Sequence, residues 1–259
     1  MRATNPILRS ITLPAVRAEH SAGTTMTLNG TIYRAAALLC CVIAGALIVW
    51  TRFGGVGLQR VMTHRVAFLV GGLACGVCTF ALAWLTERKK KWSSITSPAY
   101  ALVEGLLLGI LTLGLEAHHH GTAVQAVTLT FALCFILLVA YRIGIIRVTD
   151  RFRRATLFAT CTIALFYLGK ILLVVAGAPI SSFFEGGILG ILASVVAVSV
   201  AAMNLVADFD FVDQCTKSAL PKYMEWYAAF GLIVTLIWLY LEIVRLLTKA
   251  QNARETGNA

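Results

Sequence analysis

Two carboxylates close one of the chain's long apolar runs: Asn204-Leu-Val-Ala-Asp208-Phe-Asp210-Phe211 ends a hydrophobic stretch that begins near Ile188. A charged side chain in hydrocarbon costs at least ~2.5 to 3.5 kcal/mol, so an acid there either faces a bundle interior, often with a function, or marks the end of a span. Asp208 follows Asn204 by one helical turn and shares its face, whereas Asp210 points roughly 200° away at ~100° per residue, so only one of the pair is expected to face the core. Glu104, Lys170, Glu225 and Glu242 also interrupt apolar sequence. At ~1.5 Å of rise per residue, Glu104 lies roughly 6 Å inward of the midplane, and Lys170 and Glu242 lie about 6 to 8 Å outward of it. Asp208 is then near the inner boundary and Glu225 at the interface.

The chemistry open to such groups is to hold protons, to attract hard cations, or to pair across helices. For Glu104 the plainest role is a protonated acid giving one interhelical hydrogen bond, worth only ~0.6 kcal/mol on average in membranes. Lys170 either snorkels outward or pairs with a carboxylate such as Glu242. Glu242 also has Arg245 three residues on, the spacing of a local ion pair.

These residues need helices to position them, and the composition supplies them. The chain is 59% hydrophobic and only 13% charged, and its apolar runs are too long for a soluble core. We read an all-α membrane protein with seven spans: about 31–51, 66–86, 99–118, 123–144, 155–177, 188–211 and 225–247. A closed β-barrel would instead show alternating strands of about 10 residues. Residues 1–30 form a polar tail without signal-peptide features, expected to be flexible and cytoplasmic, and residues 248–259 form a polar C-terminal tail. The third span carries Gly105-x-x-x-Gly109, which lets helices approach closely and predicts a central position for it.

Basic residues alternate with the spans. The Glu87-Arg88-Lys89-Lys90-Lys91-Trp92 run, the cluster Arg142, Arg147, Arg151, Arg153 and Arg154, and Lys217 with Lys222 fall at every second connection, whereas 118–122 and 178–187 contain no Lys or Arg. The positive-inside rule then puts the N-terminus inside and the C-terminus outside, in a cell membrane, with Arg52, Arg60 and Arg65 of the first loop and Arg245, Lys249 and Arg254 of the last helix and tail as the charges that oppose this arrangement. The net charge of +10 is thus explained by topology, and no patch with interleaved aromatics points to nucleic acid.

Other signals are bland. Six of the seven cysteines lie in spans and act as small hydrophobes, and the Cys75-x-x-Cys78 pair has no polar ligands nearby in sequence. His118, His119 and His120 cannot share one helical face and read as a solvated turn. No G-x-S-x-G, H-E-x-x-H or phosphate loop is present, and the glycine-flanked aspartate of intramembrane aspartic proteases is missing, so no enzyme and no cofactor is expected.

Four stretches carry a resemblance. Ser97-Pro98-Ala99-Tyr100-Ala101-Leu102-Val103-Glu104-Gly105, the turn Tyr141 to Arg154 with Ile146-Arg147-Val148-Thr149, Asp208-Phe-Asp210-Phe, and Pro221-Lys222-Tyr223-Met224-Glu225-Trp226-Tyr227-Ala228-Ala229-Phe230-Gly231 resemble the bacterial branch of the Bax inhibitor-1 family. The resemblance spans nearly the whole chain. It implies a seven-helix bundle with a central helix and, for some members, a pH-sensitive calcium leak gated by one acid on the sixth helix and one on the seventh. Phe209-Asp210 is similar to the sixth-helix motif, and Leu239-Tyr240-Leu241-Glu242 to the seventh-helix Leu-Tyr-Leu-Asp. This chain departs by a Glu for Asp, a doubled aspartate and a longer stretch between the acids. Either the sixth helix runs on past Phe211, or the pair is not intact. An intact pair would share one proton, and losing it would leave charges that repel each other or attract Ca²⁺. The family also suggests a different class of role: modulation of a membrane protease or a stress-response partner through exposed tails, without transport.

Overall fold

The computed structural model describes residues 25–53, 65–116, 121–176 and 187–257. Seven helices result: α1 (Leu28–Phe53), α2 (Arg65–Arg88), α3 (Ser93–Glu116), α4 (Thr122–Arg142), α5 (Asp150–Val175), α6 (Gly187–Lys217) and α7 (Met224–Gly257). Each is long and apolar enough to cross a membrane. Among the described residues there is no strand, only an isolated bridge between Thr25 and Pro221. The all-α, seven-span reading is therefore the observed architecture. His118 to His120, the first loop and the turn before α6 lie outside the described residues.

α3 and α7 share the centre. α3 packs against α1, α2, α4 and α7, and α7 packs against α1, α3, α4 and α6. Their contact is marked by Tyr100 and Phe230, whose rings meet edge to face with centroids 5.0 Å apart. The α1–α3 seam is drawn tight by glycine. A Cβ at Gly105 would stand 2.2 Å from the Val42 carbonyl oxygen, one at Gly45 would stand 2.5 Å from that of Leu102, and one at Gly109 would crowd Val49 and Ala46. The two backbones touch, as the Gly105-x-x-x-Gly109 spacing predicts, and dispersion at that range supplies the association that a hydrophobic effect cannot supply inside lipid. α2 and α5 are peripheral, with Leu73, Val77 and Phe80 on α2, and Leu157, Phe158 and Leu165 on α5, presented outward to lipid.

Three boundaries differ from the hydropathy reading. α6 does not stop at Phe211 but continues to Lys217, because Asp210 is neutralised within the bundle and does not end the helix. α7 continues through Gly257, and Gln251, assigned to the C-terminal tail, accepts the Thr122 hydroxyl at 3.0 Å. α3 begins at Ser93, before Pro98, because Ser93 Oγ donates to the Tyr223 carbonyl at 3.2 Å and Thr86 Oγ1 to Thr96 Oγ1 at 2.7 Å, which fix its polar first turn.

The N-terminal segment also differs. Residues 25–30 are held, not flexible: Met26 N–H donates to the Leu220 carbonyl at 2.7 Å, beside the Thr25–Pro221 bridge. Thr27 caps α1, its Oγ1 accepting the Gly30 N–H at 3.0 Å. This clip, the α2–α3 turn, the α4–α5 turn and the α6–α7 turn gather at one end of the bundle. Lys90 sits 4.9 Å from the Tyr227 ring there, and Arg153 reaches α6. The three basic connections at 87–92, 142–154 and 217–222 thus share one end, whereas Arg52 and Arg65 stand at the other, where α1 ends and α2 begins.

Candidate functional site

The sixth and seventh helices are antiparallel across a short turn, so their acids separate by depth. Asp210 lies two turns before the end of α6, whereas Glu242 lies five turns into α7. α5 measures the distance between them. It meets Asp210 through Arg153 and Glu242 through Tyr167, and those two residues are about 21 Å apart along a helix axis. The structure does not bring Asp210 and Glu242 together.

Asp210 faces α4 and α5. It pairs with Arg153, takes the Tyr141 hydroxyl at 3.2 Å on Oδ1 and takes Gln214 Nε2 at 2.8 Å on Oδ2. Both oxygens are engaged. Glu242 is fully buried and equally saturated: the Tyr167 hydroxyl lies 2.9 Å from each oxygen, Trp238 Nε1 donates at 3.0 Å, and Arg245 closes the pair at 3.0 Å while its guanidinium lies 4.5 Å from the Tyr167 ring centre. The i, i+3 spacing of Glu242 and Arg245 thus forms its ion pair. Lys170 is half-buried, one turn beyond Tyr167 on α5.

Asp208 faces the other way. Thr235 of α7 stands beside it, and its Oδ2 is closed to solvent with no hydrogen-bond partner. The roughly 200° between the two aspartates is realised: Asp208 turns to the central helix and Asp210 to the periphery. Asn204 on α6 donates to Thr160 Oγ1 at 2.7 Å and to the Val200 carbonyl at 2.9 Å. Glu104 is buried on α3 with Thr79 of α2 next to it, so it joins a peripheral helix to a central one.

Glu225 belongs to the clip, not to the membrane interior. Its carboxylate is fully buried, takes the Thr27 N–H at 2.8 Å and the Thr27 hydroxyl at 3.0 Å, and pairs with Arg34. An anion at the start of α1 is favoured by the helix dipole, and Arg34 neutralises it. Gly30 makes room, since a Cβ there would lie 2.5 Å from Glu225 Oε1.

The partner side of these groups was not singled out in the sequence: Arg153 for Asp210, Thr160 for Asn204 and Tyr167 for Glu242, all on α5, and Arg34 of α1 for Glu225. A signal exists for the first three. They recur at every seventh residue, which places them on one face of α5, and that face meets α6 and α7.

The family model for Bax inhibitor 1 like proteins matches residues 5–252 of this chain. The chain belongs to the Bax inhibitor 1 like family. No curated protein and no solved structure matches it. The motifs around Glu104, Asp208 and Glu225 that carried the resemblance therefore sit in a member of that family, on the two central helices and on the α6–α7 hairpin.

Proposed function

We propose that this Bax inhibitor 1 like protein is a cation leak of a cell membrane, with the basic end of the bundle and the N-terminus in the cytoplasm and the C-terminus outside. The observation that carries the reading is the set of four carboxylates, Glu104, Asp208, Asp210 and Glu242, placed inside a bundle of spanning helices, where ionisable groups mark ion or proton routes by default. Calcium and protons are the candidates that the family resemblance suggests. The gate differs from a shared-proton acid pair. Asp210 and Glu242 are each matched to an arginine, Arg153 and Arg245, and both are tied to α5.

Removing either charge loosens a tether of α5: without its charge Asp210 no longer pairs with Arg153 across to α6, and Glu242 on α7 becomes a weaker acceptor for the Tyr167 hydroxyl. The test is calcium-dye uptake into liposomes between pH 6 and 8, for wild type, Asp210→Asn and Glu242→Gln. Influx that either substitution raises supports the reading; wild-type liposomes that stay closed to calcium, sodium and protons at every pH overturn it.

A second reading is a membrane interaction protein that modulates a membrane protease or a stress response, and the clip at Glu225 favours it. Glu225 and Leu220 anchor the segment from which residues 1–24 extend at the basic end. Trimming residues 1–24, and stopping before Thr25 so that the α1 cap survives, would abolish such a role and leave ion flux unchanged.

A further inference from the structure

The densest basic run in the chain has no acid to answer it. Arg34, Arg153, Lys217 and Arg245 each meet a carboxylate. Arg88, Lys89 and Lys91 are exposed where α2 ends and the chain turns into α3, and among the described residues no carboxylate, Glu87 included, comes within ion-pair distance of them. Lys90 turns inward, to the Tyr227 ring. What the outward cations meet is tryptophan. The Arg88 guanidinium lies 4.4 Å from the Trp84 ring centre, and the Lys89 ammonium lies 4.8 Å from that of Trp92. Each ring is still 55% exposed, so both pairs offer their surroundings a cation beside an apolar plate. The positive-inside rule asks only for charge at this end, and an aromatic belt asks only for rings at the interface; neither asks that one be laid on the other.

Below Arg88 the same face of α2 is apolar and unpartnered. Trp84, Phe80, Val77 and Leu73 recede from it at intervals of three and four residues, all exposed. From Leu73 to Arg88 the stripe measures about 22 Å along the helix, and half a bilayer with its headgroups measures about 20 Å. A cation at the surface, a ring at the boundary and an apolar stripe beneath follow the order of a phospholipid's own parts. Charge selects the headgroup. Three unanswered cations favour one with a net negative charge over a zwitterionic one, whose ammonium they repel, and Arg88 can hold two phosphate oxygens at once.

We propose that Arg88, Lys89 and Lys91, held by Trp84 and Trp92, form a docking site for the headgroup of an anionic phospholipid of the surrounding bilayer, with an acyl chain laid along the outer stripe of α2. The lipid then sits at the junction of a peripheral helix with a central one. The proposal does not rest on the cation reading, since it needs no ion to cross.

The experiment is thermal unfolding of the full chain in detergent, titrated with dioleoyl phosphatidylglycerol, with dioleoyl phosphatidylcholine and with inorganic phosphate at matched ionic strength. Phosphatidylglycerol should raise the wild-type midpoint by a few degrees in a saturable way, and the other two should not. Arg88→Gln with Lys91→Gln should lose most of that shift. Trp84→Leu with Trp92→Leu keeps every charge, and so the way the chain inserts, yet should lose at least half of it. Arg147→Gln with Arg151→Gln removes as many exposed charges from the α4–α5 turn at the same end, where among the described residues no cation stacks on a ring, and should keep the full shift. An equal loss in that variant would mean net charge alone, an equal shift with phosphatidylcholine the chains alone, and a shift with phosphate a free-anion site. Each of these overturns the proposal, as do no shift with phosphatidylglycerol and a full shift in the tryptophan variant. If Arg88→Gln with Lys91→Gln does not insert, the tryptophan variant decides.

Discussion

The α1–α3 seam and the α5–α6 seam hold helices together by opposite means. At the first, glycines bring backbones into contact, and Gly45 and Gly105 leave no space for even one carbon. At the second, Arg153 and Thr160 reach across to polar groups of α6, and Tyr167, seven residues further on, reaches Glu242 of α7, while much of α5 lies against lipid. Close apolar packing has a single good arrangement. Polar tethers at ~0.6 kcal/mol each can exchange partners with water or ions at little cost. The difference assigns rigidity to α1, α3 and α7, and any movement to α5, which covers the acids of α6 and α7.

Substitutions that fill the glycine seam should do most damage. Gly105→Leu should cost about 3 kcal/mol or more, because the obstacle is the Val42 carbonyl, a backbone atom that cannot turn aside. The measurement is the yield of monodisperse protein and its unfolding midpoint. Gly114→Ala, with nothing within 4 Å of the new carbon, is the matched control and should stay within about 0.5 kcal/mol of wild type. Equal losses at both positions would remove the contrast. Glu242→Ala comes next, at about 2 to 3 kcal/mol, since it strips partners from Tyr167, Trp238 and Arg245 together; Arg245 is half exposed and finds water, which keeps the loss below that of a fully buried pair.

Arg153→Met separates stability from movement. Arg153 and Asp210 retain some exposure, and Asp210 keeps Tyr141 and Gln214, so the stability loss should be about 1 kcal/mol. If α5 is the moving part, flux in liposomes should still rise several-fold. An Arg153→Met protein that leaks no more than wild type, beside a Gly105 variant that leaks freely, would place the movement at the wrong seam.

The fold was legible because hydropathy in a membrane is nearly a length measurement: about 20 apolar residues span the core, and lipid-facing backbone must be helical. The glycine seam was legible too, since small residues one turn apart have one common use. The acids were legible as anomalies, but apart from Arg245, three residues after Glu242, their partners were not. Asp208 and Asp210 were separated correctly by angle, yet nothing local to α6 says that Arg153, more than fifty residues earlier, reaches Asp210. Hydropathy ended α6 at Phe211 for the same reason: it charges a full penalty for an aspartate that a distant arginine neutralises. Glu225 reads as an interfacial residue and does open α7 at the basic end, but its partner Arg34 lies too far back in the chain for any local pattern to pair them.

The smallest effect is the most discriminating. Thr160→Val deletes the hydroxyl that accepts from Asn204 and donates to the Thr156 carbonyl, at the middle of the α5 stripe. Valine keeps the shape, so packing is unchanged, and the loss in stability should be only ~0.6 kcal/mol, near the limit of detection in an unfolding scan. Asn204 is left with the Val200 carbonyl as its partner. Amide exchange separates the two seams where the midpoint does not, because local opening reports the stability of one element and not of the whole bundle. In Thr160→Val the amides of α5 should exchange faster while those of α1 and α3 stay at their wild-type rates. Faster exchange in all three helices would mean that α5 opens only when the bundle does, and the contrast between a fixed seam and a movable one would fail.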